Sequence, residues 1–143
     1  MTVSAEGKRR PLSRGYIKLN LVYTFEAFVY LFVGLVIMVL NFSAFIFIPP
    51  DSVYIMWLFG FVVSMVFGIT NIMIPSYGNG KEYHMYLIVL EILALNLGTI
   101  ITFITFSYTE YSTFINIGLS LLLLSVLIHL FNLTSSRINS TAN

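Results

Sequence analysis

The chain has 143 residues, of which 58% are apolar and only 9% are charged, with a net charge of +1. A soluble domain of this size carries about a quarter charged residues, so a water-soluble globular enzyme is excluded, and +1 offers little footprint for nucleic-acid phosphate. The absence of cysteine excludes disulfides, thiolate metal sites and cysteine nucleophiles.

The first eighteen residues hold Lys8, Arg9, Arg10, Arg14 and Lys18 and read as a basic cytoplasmic tail, 1–18. Beyond it, long uncharged runs mark the spans. Twenty-four residues separate Glu26 from Asp51, 29 separate Asp51 from Lys81, 18 separate Glu91 from Glu110, and 26 separate Glu110 from Arg137. A helix needs about 20 residues at about 1.5 Å each to cross a hydrocarbon core of about 30 Å. Runs such as Leu35–Leu40 and Leu121–Leu124 do not alternate, which argues against strands. Helices are therefore expected near 22–47, 53–74, 86–106 and 114–133.

Pro49-Pro50-Asp51 stops the first helix and starts the second, because proline is tolerated at a helix start. The cluster from Pro75 to Gly80 reads as a turn, and Ser107–Thr113 is a short polar connection. Short loops force neighbouring helices to be antiparallel. The expected fold is all-α, one integral membrane domain over 1–143, an up-down four-helix bundle. With four spans all seven cations share one side, which the positive-inside rule makes cytoplasmic, so both termini are expected there in a multi-pass protein of the cell membrane. The first apolar stretch is longer than a signal-peptide core and lacks a small-residue cleavage site, so it reads as a retained span. Tyr54, Trp57, Tyr108 and Tyr111 are expected at the outer boundary, and Tyr77, Tyr83 and Tyr86 at the inner one. Tyr30 falls inside a span and needs a hydrogen-bond partner on another helix. The sequons at Asn41, Asn132 and Asn139 fall in a helix or on the expected cytoplasmic side.

Gly60, Ser64 and Gly68 form one stripe of small residues, and Ala94, Gly98 and Thr102 form another. Small residues let backbones approach closely in lipid. The two stripes are expected either to face each other or to receive the helices of a partner.

Ionisable residues within spans mark functional candidates. Glu26 is expected at headgroup depth and His84 at a solvated boundary. Glu91 and His129 each lie 19 residues from Glu110, so antiparallel helices would bring them to one depth. Two readings of that pair stand open: a proton-handling or quinone-headgroup site, or a polar clamp fixing register or touching a partner. A shared haem between the two histidines is disfavoured, because the depth counterpart of His84 is position 136, about 10 Å along the axis from His129. No three-ligand metal spacing, nucleophilic triad or phosphate loop is present. No cofactor or metal is expected.

The stretch Trp57-Leu-Phe-Gly60-Phe-Val-Val-Ser-Met65-Val-Phe-Gly68-Ile, ending Met73-Ile-Pro75, resembles a helix of haem–copper oxidase subunit I relatives and their small membrane homologues, in which spaced glycines end at a proline and a tight turn. The likeness covers residues 57–75. The metal ligands of that family are histidines, and none lies between Asp51 and Pro75, so no ligand is carried over. The resemblance implies a catalytically silent relative among respiratory membrane proteins. The small, Ile- and Tyr-rich, cysteine-free chain is also similar in look to accessory subunits of archaeal respiratory or metal-oxidase complexes. The expected function is that of a non-catalytic accessory subunit, packed in the lipid bilayer against larger subunits of a redox or energy-transducing complex. The alternative is a small homo-oligomeric transporter or proton or quinone carrier that uses Glu91 and His129.

Overall fold

The computed structural model describes residues 12–77, 82–108 and 112–141, with side chains at all of these except 77, 112 and 136–141. The elements are α1 (Arg14–Phe42), α2 (Pro50–Ile55), a π-helical segment (Met56–Val63) that continues directly into α3 (Ser64–Tyr77), α4 (Met85–Tyr108) and α5 (Ser112–Thr141). There is no strand among the described residues. Since α2, the π segment and α3 form one continuous rod, the described residues make four helical rods, each long and apolar enough to cross a membrane. The protein is an all-α, multi-pass membrane bundle.

The first rod departs most from its sequence expectation. It begins at Arg14, capped by the Ser13 hydroxyl, which accepts from the Tyr16 N–H, and so eight residues before Val22. Arg14 and Lys18 therefore belong to the helix and not to a tail. Long basic stems tolerate this by keeping their ends in the headgroup layer while the methylenes stay in apolar surroundings. The helix stops at Phe42, where Ala44 takes a positive φ of 58° and Ser43, Ala44 and Phe45 return their N–H groups to the last carbonyls. The Asn41 amide then holds the loop, donating to Ile48 O and accepting from Ile48 N.

In the second rod Pro50 opens the helix at its first position, where no N–H is missed. Pro75 does not end it, because α3 runs on to Tyr77. A proline inside a helix leaves the carbonyl four residues earlier without its N–H, here that of Asn71. The Tyr16 hydroxyl donates to that oxygen at 2.6 Å. Lys81, Glu110, Tyr111 and the Gly78–Gly80 turn lie outside the described residues, as do Lys8, Arg9 and Arg10 and the side chains of Tyr77, Arg137 and Asn139.

α1 lies against the π segment, α3 and α4, while α5 lies against α4 and α3. The small-residue stripes do not face each other. Gly60 and Gly68 receive Tyr30 and Tyr23 of α1, whereas Gly98 receives Leu122 of α5, and Gly118 of α5 in turn receives Thr102. Each stripe is covered from within the chain by a different helix.

The interior is as polar as it is apolar: among the described residues twelve hydrophobic ones are buried beside eleven polar or charged ones, while dozens of large apolar side chains point outward. That inversion suits a lipid solvent, in which apolar burial drives little association and interhelical polar contacts hold helices together. Thr99, Thr102 and Thr105 satisfy their hydroxyls on carbonyls four residues back, so they pack as small apolar residues would.

Candidate functional site

Glu91 lies six residues into α4, about 9 Å along the axis, and is completely buried. Three other side chains reach it. Tyr23 donates its hydroxyl to Oε1 at 2.5 Å, His129 places Nδ1 3.1 Å from the same oxygen, and Asn132 donates Nδ2 to Oε2 at 3.2 Å. The structure thus brings Glu91 and His129 together. The second rod enters through Phe67, stacked on the His129 ring at 3.9 Å, and through Thr70, whose hydroxyl lies 3.0 Å from Nε2. All four rods contribute to the cluster.

Thr70 gives this cluster its chemistry. Its hydroxyl lies 2.7 Å from Val66 O and 3.0 Å from His129 Nε2, and it has one hydrogen to give. When the hydrogen points to His129, Nε2 accepts and the imidazole is neutral, with Nδ1–H donating to Glu91. When it points to Val66 O, the threonine oxygen can accept from an Nε2–H, and with Nδ1–H kept on Glu91 the ring is then an imidazolium facing the carboxylate. A proton can therefore be added to His129 by one hydroxyl rotation, and no hydrogen-bonding atom loses its partner. In a low-dielectric interior, where an unmatched polar atom is expensive, both protonation states are accommodated.

A second acid stands deeper. Glu26 lies twelve residues from the start of α1, about 18 Å along the axis, and so near the middle of that helix. Its Oε2 accepts from Asn96 Nδ2 at 2.7 Å, and the Asn96 Oδ1 accepts from the Tyr30 hydroxyl at 2.7 Å. Asn96 is the partner on another helix that Tyr30 required. His84 is exposed at the N-terminal end of α4, with its ring 5.5 Å from that of Tyr86, while His129 is buried in the cluster. Among the described residues no group of three or more His, Cys, Asp or Glu is placed to hold a metal ion.

Tyr54, Tyr86 and Tyr108 are exposed near helix ends. Trp57 and Tyr83 are not: the Trp57 ring fills the space over Gly34, and Tyr83 packs edge-on against Tyr16. Sequence reasoning also missed Tyr16, Asn20 and Tyr23, which recur at intervals of four and three on the inward face of α1. That interval was the available signal, and it was hidden while those residues were assigned to a tail or its edge. No protein family, curated protein or solved structure matched the chain.

Proposed function

We propose that the protein handles protons within the membrane, with Glu91 and His129 as the groups that take them up and release them. The observation that carries this reading is the Thr70–His129–Glu91 arrangement, in which an added proton is absorbed by a hydroxyl rotation. Intramembrane ionisable residues are costly and are kept where they serve ion or proton movement. In liposomes holding the purified protein and an internal pH dye, Glu91→Gln should abolish protein-dependent proton movement while preserving the fold, and His129→Phe should do the same. Parental proton movement in both variants would retire the reading.

A second reading is the non-catalytic accessory subunit of a larger membrane redox or energy-transducing complex, of respiratory type. Two features favour it. Phe25, Phe28 and Phe32 project from α1 with half or more of their surface outside the bundle, and the likeness of residues 57–75 lies with haem–copper oxidase relatives. In this reading the basic residues face the cytoplasm and engage anionic lipid or a partner, and Glu91 with His129 is a clamp fixing helix register. Mild-detergent extraction followed by native sizing separates the two. Stoichiometric co-purification with haem- or metal-containing subunits supports the accessory subunit, whereas a homo-oligomer that moves protons or solute supports the first reading.

A further inference from the structure

The inward face of α1 carries Ser13 at its cap and then Tyr16, Asn20, Tyr23, Glu26 and Tyr30. From Ser13 to Tyr30 is about 26 Å of helix, most of a hydrocarbon core of about 30 Å. At the lower end Ser13 binds the Glu82 carboxylate through its backbone N–H and its hydroxyl. Midway stand Tyr23 with Glu91, and then Glu26 with Asn96. The next inward position is Gly34, and there the polar sequence ends: a Cβ at Gly34 would lie within 3 Å of three atoms of the Trp57 ring. The column is polar from Ser13 to Tyr30 and is closed by an indole beyond.

The protein leaves polar atoms of this column without partners at Glu26 Oε1 and, in a larger group, at Asn20 and Asn71. Asn20 and Asn71 are both fully buried. Asn20 Oδ1 and both side-chain polar atoms of Asn71 have no hydrogen-bond partner among the described residues. The two residues belong to the same α1–α3 seam: Tyr16 reaches the Asn71 carbonyl, and Asn20 follows Tyr16 by one turn, its own carbonyl 3.4 Å from where a Gly68 Cβ would sit. Polar atoms buried this deeply are bonded to protein or to ordered water, and water that bridges several polar groups is nearly as good a partner as a direct contact.

We propose that the Asn20–Asn71 seam is a water-binding site, and that it turns the column into a half-channel through which solvent protons reach Glu91 and His129 from the Ser13–Glu82 end only. Each water gains one O–H bond to the proton arriving on its outer side and breaks one O–H bond on its inner side. Every water is thus left neutral, the last bond formed is O–H on Glu91 or N–H on His129 Nε2, and no electron changes hands. The direction of access rests on the proton-handling reading above, whereas hydration of the seam does not.

The test is magnetic resonance of the full chain in lipid nanodiscs, with nitrogen-15 in asparagine and histidine. The Asn71 side-chain amide should show magnetisation transfer from water. Asn71→Leu should slow exchange of the His129 ring N–H with solvent by about tenfold, the effect of removing one hydrogen-bonded link from the path. If that variant does not fold, Asn20→Leu gives the same reading. An Asn71 amide without water contact in the parent overturns the site, and parental His129 exchange in a folded variant overturns the path. Water contact and slowed exchange, together with unchanged proton movement in both Glu91→Gln and His129→Phe, would uphold the half-channel while removing the function proposed for it.

Discussion

Glu91 is held by three neutral or basic donors, and its substitutions separate charge from shape. Glu91→Gln keeps the volume, and Asn132 can turn its amide to match, so the bundle should retain close to parental stability. Glu91→Leu strands Tyr23, His129 and Asn132 together, and the summed loss should be several times that of a single bond. Tyr23→Phe removes one donor and leaves two, at a cost of about 0.5–2 kcal/mol on the scale of interhelical hydrogen bonds in lipid. Steric-trap or denaturant unfolding of the three variants checks the order, and Glu91→Leu equal to Glu91→Gln would contradict it. The pairing of Glu91 with His129 was legible because charged residues are scarce and antiparallel counting fixes depth. Tyr23, Thr70 and Asn132 were not legible, because a neutral polar residue in an apolar run looks the same whether it faces lipid, its own carbonyls or a carboxylate.

At the scale of the element, the seam between the first two rods is a reciprocal fit. Tyr30 of α1 covers Gly60, and Trp57 of the π segment covers Gly34. A π turn is wider than an α turn and often accompanies such local demands. Gly34→Leu and Gly60→Leu should each overpack the seam and cost about 1–3 kcal/mol or more, and Gly118→Leu should do the same between α4 and α5, where Thr102 Oγ1 already occupies the place of a Cβ. Thermal unfolding in detergent would measure this, and parental stability in all three would mean that the seams are looser than described. The stripes were visible in the sequence, but their partners were not: small residues at spacing four say that a helix can be approached closely and leave open which helix approaches. The start of α1 was misplaced for a related reason. Charges were read as ending the span, and Arg14 and Lys18 sit on exposed faces of a helix that is longer than the bilayer core requires.

For the whole molecule, four antiparallel rods place the Ser43 loop at one end of the bundle and Ser13, Glu82 and Ser135 at the other. The number of spans followed from charge spacing alone, since the hydrocarbon core sets a minimum length that few sequences satisfy four times by accident. Because the chain lacks cysteine, single replacements report topology without background. In sealed vesicles of uniform orientation, Ser43→Cys should react with an impermeant thiol reagent from one face only and Ser135→Cys from the opposite face only. Labelling of both from the same face would contradict the up-down arrangement.

The packing of Trp57 over Gly34 has a further, practical consequence. Trp57 is the only tryptophan, so emission excited at wavelengths too long for tyrosine comes from one indole seated in one seam, with Tyr54 6.4 Å away. Separation of the first two rods would move that indole from a packed contact into lipid or water and change both the colour and the lifetime of its light. The protein therefore carries its own optical gauge of whether the closed end of the bundle is shut.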